Sequence, residues 1–509
     1  VETDGIQYTK IWCIVVQSVE TEEISSFGPN ELYEAVELLN TADTLIGHNI
    51  LTFDLPCIRK ILDLPCFGRD KKILDTLVLS RLFVPDRKPG HKLSDWGSSL
   101  SYPKIDFHDY SHYSMQMLKY CIRDVQLNTK VFKELKWEAK GFSKKCIDLE
   151  HKVAEILGVQ EKQGFLLDIE KAAIIQAGLE KNLVTTKKII REVFKPKIIK
   201  TKIFPKYKKD GSIAKNAITE HGKGTRLSEE ESLDMAWTTA DHIVRTEVKE
   251  LLISSRPQLI EYLKEAGWKP KKYTDKGNVI LNEKVLETVT NIPEAAHIKN
   301  YFLLEKRLVQ LNSWITAANP STLRVHCHVI HNGTITGRMT HRKPNMAQVP
   351  SVSVAYGSQF RQCWRVPKDY KLVGIDASGL ELRMLAHYMN DKDYINEIIS
   401  GDIHTANQKL AGLQSRDQAK TFIYALMYGA GNEKLGQVVG GSKANGKELR
   451  KRFFDNLPAF KTLRDRVERA SKRTYLKGLD GRKIFVRYNY AALNTLLQGA
   501  GAIVMKKAL

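Results

Sequence analysis

Asp376 and Glu381 stand close together in the stretch VGIDASGLELRMLAHY, where an apolar run gives way to a helical pattern. The run reads as a buried strand, and an acid at its tip is costly unless a metal ion or a cation compensates it. Further along, Arg416, Lys420, Tyr424 and Tyr428 recur every fourth residue in RDQAKTFIYALMYGAG. That spacing keeps them on one slowly drifting helical face. Two cations followed by two aromatics suit a ligand that is anionic at one end and flat at the other, as a nucleoside triphosphate is. Arg416 and Lys420 would hold phosphates, and Tyr424 and Tyr428 would meet sugar or base. His404, in GDIHTANQ, offers another phosphate contact. On spacing alone, an ordinary helix with an exposed basic end and a buried aromatic end accounts for the pattern better.

A second group lies near the start. Glu2 sits in VETDG, Asn49, Phe53 and Asp54 in GHNILTFDLP, and Tyr120 and Asp124 in YCIRDVQLNT. Any one of these acids alone is more readily a surface residue. Together, converging carboxylates repel one another unless a divalent cation neutralises them. Two such ions can position a water and stabilise the leaving oxygen of a phosphodiester. Tyr120 and Asp124 are one helical turn apart on one face, so Tyr120 can orient that water.

The elements that must position these residues follow from coarser patterns. At 509 residues the chain holds two to four domains. Residues 1 to 140 alternate strand-like runs (KIWCIVVQ, TLIGHNI) with helical ones, an α/β pattern. Residues 141 to 325 are mostly helical, interrupted by KPKIIKTKIFPKYKKDGSIAKNAITEHGKGTR, whose lysines, Pro and Gly read as a basic loop or insertion near 195–235. Strand signals return over 326–400, helices over 401–475, and 476–509 closes on another helix. The net charge of +21 favours polyanionic partners. The seven scattered cysteines suit reduced thiols, and HCHVIH at His326–His331 reads as a strand with polar and buried faces rather than a metal site. No apolar run is long enough for a membrane span.

The N-terminal segments resemble the three motifs of proofreading 3′–5′ exonucleases with the ribonuclease-H-like fold: Asp-x-Glu, Asn-x-x-x-Phe-Asp and Tyr-x-x-x-Asp. The resemblance implies Glu2, Asp54 and Asp124 as metal ligands and Tyr120 as a catalytic residue, with the first Asp standing just before Val1. DASGLELR and Arg-x-x-x-Lys-x-x-x-Tyr-x-x-x-Tyr-Gly resemble motifs A and B of family A DNA polymerases. The wording is nearest the replicative enzymes of T-seven-type bacteriophages, which share GDIHT, AKTFIY, KGLDGRK and AALNTLLQ. The implied architecture is an α/β multidomain chain, an exonuclease domain followed by a right-hand polymerase of thumb, palm and fingers.

On that resemblance Asp376 and the Ala377 carbonyl hold metal in the palm, and Lys420 joins Asp376 in catalysis. Glu381 lies under the incoming sugar and rejects a 2′-hydroxyl, with Tyr424 beside it. Thr336, Gly337 and Arg338 match a primer-contacting motif. Asn345 and Gln348 reach the minor groove, and Asn494 and Gln498 match further template–primer contacts, as does Tyr428. The cofactors implied are Mg²⁺ ions, two in each site, with Mn²⁺ as a substitute. The partners implied are primer–template DNA, deoxynucleoside triphosphates, a thioredoxin-like processivity factor at the thumb and a replicative helicase-primase. The place of action implied is the cytoplasm of an infected bacterial host. A second palm Asp, on a His-Asp-Glu turn, is expected beyond Leu509, so the chain reads as a truncated view of such a polymerase or as one half of a split enzyme whose palm another chain completes, with truncation the favoured reading.

Overall fold

The computed structural model describes residues 1–4, 9–237 and 241–509. They divide into two compact units. One is built from Val1–Phe165, Arg324–Gln348 and Val366–Leu509, the other from Leu166–Leu323 and Val349–Arg365.

The first unit opens with a three-stranded antiparallel sheet in which Ile11–Gln17 lies between Glu2–Thr3 and Ile24–Phe27. A parallel pair, Thr44–Gly47 with Lys72–Asp75, lies nearby. Alternation along IWCIVVQ buries Cys13 and Val15 against Met117 and Cys121 of the helix Met115–Glu138. Ser114 starts that helix, its hydroxyl accepting from the Met117 N–H at 3.1 Å. Asp75 is structural: fully buried, it accepts from the N–H groups of Asn49 (3.0 Å), Leu51 (3.2 Å) and Leu77 (2.9 Å). It thereby ties the turn before Asp54 to the start of the helix Thr76–Phe83.

The same unit carries a helical cluster with one shared core, including Leu382, Phe422, Phe453, Phe460 and Leu497. Its helices include Leu380–Met389, Ile403–Ala411, Arg416–Met427 and Ala492–Ala508. The last packs against Leu380–Met389 closely enough that a Cβ on Gly501 would sit 3.1 Å from the Leu380 side chain. The stretch from His326 to His331 alternates half-buried and buried side chains as expected, with the strand His328–Ile330 paired to Thr340–Arg342.

One expectation fails here. The run before Asp376 is not a buried strand: Leu372, Val373 and Ile375 are 70%, 75% and 86% exposed, and no strand forms over 371–377. An apolar run becomes a buried strand only when a neighbour pairs its backbone and covers its face. No strand among the described residues does so.

In the second unit the long helices Ile169–Val193 and Ala295–Ala317 pack together, with Asn300 donating to the Thr186 hydroxyl at 3.1 Å. The basic stretch is not a loop. It forms a four-stranded antiparallel sheet, ordered Ile243–Lys249, Lys197–Tyr207, Ile213–Thr219, Gly224–Arg226. One face buries Ile203 and Ala217 with Leu227 and Met235. The other leaves Ile198, Val244 and Val248 exposed beside Lys200 and Lys202. The dense lysines hide the period of two in KIIKTKIFPKY, because the apolar residues fall on both faces. No helix among the described residues is long and apolar enough to cross a membrane.

Candidate functional site

The three N-terminal acids arrive from three elements. Glu2 lies on an edge strand, Asp54 opens the helix Asp54–Ile61, and Asp124 projects from Met115–Glu138 one turn after Tyr120. They share one neighbourhood. Burial, with Asp124 and Asp54 adding repulsion, pushes the Glu2 carboxyl up to about 7, against the opposing charge of Lys104. Burial also raises the Asp124 carboxyl above the usual carboxylate range, although Lys104 lies 2.6 Å from its Oδ2.

Lys104 was not legible as part of the site. Its ammonium donates to the Tyr120 hydroxyl at 2.8 Å and lies over the Tyr120 ring. Phe107 stacks on the same ring, 5.4 Å between centroids. Burial, then the hydrogen bond with Tyr110 and the charge of Asp124, raises the Tyr120 phenol well above its ordinary value. The phenol therefore stays protonated and can donate.

A divalent cation suits this donor set. Among the described residues Asp124 Oδ1 is buried with no hydrogen-bond partner, an oxygen that a bound ion could take. Burial beside two other carboxylates raises the Glu2 carboxyl, and a divalent cation held there would offset both the burial and the repulsion. As placed, no three such side chains among the described residues close to metal-binding distance, and Lys104 holds Asp124 in the meantime.

In the helical cluster, Ser415 caps Arg416–Met427, accepting from the Gln418 N–H at 3.2 Å. Ala419, Phe422, Ile423, Leu426 and Met427 are buried at helical spacing. The four larger ones contribute about 1.5–3 kcal/mol each. This burial turns the opposite face outward. Arg416 and Lys420 are exposed, Tyr424 is half-buried and Tyr428 is exposed. Tyr424 packs against the shared core while Tyr428 is 43% exposed, so the aromatic end is buried only in part. Gly429 ends the helix with φ +77°, and a Cβ there would come 2.1 Å from the Tyr490 carbonyl oxygen.

Other predicted residues gather at this face. The His404 ring lies 6.4 Å from that of Tyr424, and Tyr424 lies 6.2 Å from Tyr428. Burial, with the charge of Glu381, raises both tyrosine hydroxyls, and Arg338 opposes the effect at Tyr428. Glu381 and Arg338 therefore lie near the aromatic end. Burial, with Arg416 and Lys420 nearby, lowers the His404 imidazole, and its Nδ1 is buried without a partner. Asp402 is a further residue the sequence did not flag. It caps the helix Ile403–Ala411 and pairs with Arg416, Nε to Oδ2 2.6 Å.

The duplex-contact residues are placed less uniformly. Thr336 is buried and Arg338 exposed in a turn where Gly337 takes φ +77°. Asn494 and Gln498 are half-buried on Ala492–Ala508, and Asn494 Oδ1 lacks a partner. Asn345 is exposed and its Oδ1 accepts from its own turn, the Ala347 N–H at 3.0 Å. Gln348 closes the exposed turn Met346–Gln348. Asp376 and Ala377 lie on the open segment before Leu380–Met389.

The family described as DNA polymerase family A matches residues 225–509. The DNA-directed DNA polymerase of Escherichia phage T7 is 32% identical, across 98% of this chain and 86% of that protein. The corresponding polymerase of Enterobacteria phage T3 is also 32% identical, with the same coverage. DNA polymerase I of Helicobacter pylori is 26% identical across 65% of this chain and 38% of that protein. Among solved structures, the POL domain of Pol1 from M. smegmatis, in complex with DNA primer-template and dNTP, shares the fold. The TM-score is 0.72 at 16% identity, covering 100% of this chain and 83% of that one. With the family model matching more than half of the chain and relatives matching along nearly its whole length, the chain belongs to DNA polymerase family A.

Proposed function

We propose that the chain replicates viral DNA as a template-directed DNA polymerase and proofreads with a ribonuclease-H-like 3′–5′ exonuclease. The observation that carries this is the outward face of the helix Arg416–Met427 and its C-terminal end, which sets two exposed cations before the half-buried Tyr424 and the exposed Tyr428, with His404 and Glu381 beside them. Arg416, Lys420 and His404 offset the triphosphate charge, and Asp376 with the Ala377 carbonyl holds metal at the reacting end. Glu2, Asp54 and Asp124 hold metal in the exonuclease, where Tyr120 orients the attacking water. Held by these residues, Mg²⁺ (two ions in each site, or Mn²⁺ in its place) would supply activation of the attacking oxygen and positive charge for the leaving one. Thr336, Arg338, Asn345, Gln348, Asn494, Gln498 and Tyr428 contact primer–template. The helical unit acts as thumb, and the cluster around Arg416–Met427 acts as fingers beside the palm. The enzyme works in the cytoplasm of an infected bacterial host, beside a helicase-primase.

Tyr424 tests the nucleotide site. A tyrosine beside the sugar supplies a hydroxyl that replaces the hydrogen bond a dideoxynucleotide lacks, whereas phenylalanine leaves that deficit uncovered. Tyr424→Phe is therefore expected to increase discrimination against dideoxynucleotides by one to two orders of magnitude, about 1–3 kcal/mol. Single-nucleotide incorporation kinetics for both substrates read this. An unchanged selectivity ratio removes Tyr424 from the sugar pocket.

The basic sheet of the second unit is the surface for a thumb partner, either DNA or a thioredoxin-like processivity factor. Lys200 and Lys202 share its open face with Phe204 and Ile218, and Arg226 pairs with Asn216 on that face. Changing Lys200, Lys202 and Arg226 to Gln leaves the buried face intact. If they meet phosphates, the slope of log K against log salt becomes shallower by up to about 2.7, near 0.9 per contact. An unchanged slope with lost processivity points to a protein partner instead.

A further inference from the structure

Glu150 lies in the middle of the helix Lys144–Gln163, completely buried. Its Oε1 accepts from Arg482 Nη1 at 2.6 Å and from Lys506 Nζ at 2.5 Å, and its Oε2 is 2.6 Å from His331 Nδ1. Arg482 is also held by Asp480, Nη2 to Oδ2 2.6 Å and Nε to Oδ1 3.0 Å. Side-chain exposure is 3% or less for every member of the cluster. Glu150 and Asp480 balance Arg482 and Lys506, while burial lowers the His331 imidazole to about 4 and keeps it neutral. Burying four charges costs several kcal/mol apiece before pairing, and an apolar core of the same volume would be no less stable. Stability alone therefore does not account for the cluster, but geometry does.

Each partner of Glu150 leads to a segment assigned above to the primer–template. His331 immediately precedes Asn332, which anchors the turn by donating to the Arg81 carbonyl at 2.7 Å. Arg482 lies against that turn, since a Cβ on Gly337 would be 3.2 Å from its Nη1 and 3.3 Å from Asn332 Oδ1. Thr336 and Arg338 flank this glycine. Lys506 lies on Ala492–Ala508, the helix that carries Asn494 and Gln498. One carboxylate thus touches, through two cations and a histidine, both elements expected to grip the duplex.

We propose that Glu150 is a positioning residue for primer–template: it holds the Thr336–Arg338 turn and the Asn494–Gln498 helix in one fixed register. The inference rests on the reading of those residues as duplex contacts. A purely structural charge cluster would matter only through stability, whereas a register device also sets DNA affinity in protein that remains folded.

The test compares Glu150→Gln, Lys506→Met and the double variant in the full-length enzyme. Glu150→Gln leaves two buried cations against Asp480 alone and is expected to lower the melting temperature by several degrees. The double variant restores the balance, leaving Arg482 with Asp480, and is expected to recover most of that loss. Incorporation kinetics on a primer–template duplex are read below the lowest melting point. Removal of 3′ nucleotides from a single strand confirms that each protein is folded. The expected result is a KM for DNA raised roughly tenfold to a hundredfold in both Glu150 variants, about 1.4–2.8 kcal/mol of lost binding. Turnover on bound DNA should change little. A KM restored along with the melting temperature in the double variant, or a native KM in Glu150→Gln, overturns the proposal. Arg338→Ala is the reference: unchanged DNA affinity there removes the reading of the turn, not the Glu150 tie.

Discussion

Asp376→Ala is expected to lower nucleotide incorporation by the full-length enzyme at least about a thousandfold, the equivalent of several kcal/mol of transition-state stabilisation lost with a metal ligand. Removal of 3′ nucleotides from a single strand should be unchanged, because the acids proposed for the exonuclease come from other elements. The position of Asp376 makes the result interpretable. It is exposed, on a segment with no regular structure, and makes no ion pair among the described residues. A surface substitution of this kind changes stability by only about 0.5 kcal/mol either way. A large loss of incorporation with an unaltered melting temperature is therefore chemical. Asp376→Asn, which keeps the shape and removes the charge, should fall nearly as far. Retention of more than about a tenth of the parent kcat/KM by either variant would show that Asp376 holds no essential metal.

How much of this was legible in the sequence depends on the range of the interaction. Arg416, Lys420, Tyr424 and Tyr428 are related by helical period alone, and the helix Arg416–Met427 forms as its pattern requires. Tyr120 and Asp124 are legible for the same reason. Lys104 was missed because it reaches Asp124 from a segment without regular structure, where no period reports direction. The Glu150 cluster is still less visible: Lys506 and Arg482 join it from the other end of the chain, and although Arg482 lies in the shared stretch KGLDGRK, no spacing ties either cation to Glu150. The two structural corrections share a cause. Val373 and Ile375 were read as buried because they are apolar, yet burial requires a covering neighbour. The stretch holding Lys197–Tyr207 reads as a basic loop or insertion because it has no helical period and contains Pro and Gly, yet its Ile203 needs only one apolar face to seed a core. Composition reports what a segment prefers; which neighbour it meets is decided by the rest of the chain.

Asp124→Ala, and independently Asp54→Ala, are expected to reduce 3′–5′ hydrolysis at least about a thousandfold and to leave polymerisation within about twofold of the parent. The two acids arrive from different helices, so loss in both variants would place the ligand set at their meeting point rather than in either element. Asp124 is the more informative. Its Oδ1 is buried without a partner and its Oδ2 is held by Lys104, so one oxygen is already free and the other is released if Lys104 swings away. Removing the carboxylate leaves Lys104 with the Tyr120 hydroxyl and ring, and its side chain is 25% exposed, so the ammonium keeps both solvent and a partner. The fold should therefore survive the change. Asp124→Asn separates the two roles of the residue, because an amide can still pack beside Lys104 but cannot neutralise a divalent cation. Hydrolysis is best followed as Mg²⁺-dependent shortening of a labelled single strand, with extension of a matched primer as the internal control. Asp124→Asn with parental hydrolysis across a Mg²⁺ titration would mean that the carboxylate only anchors Lys104, and that the metal, if one acts there, is held by other residues.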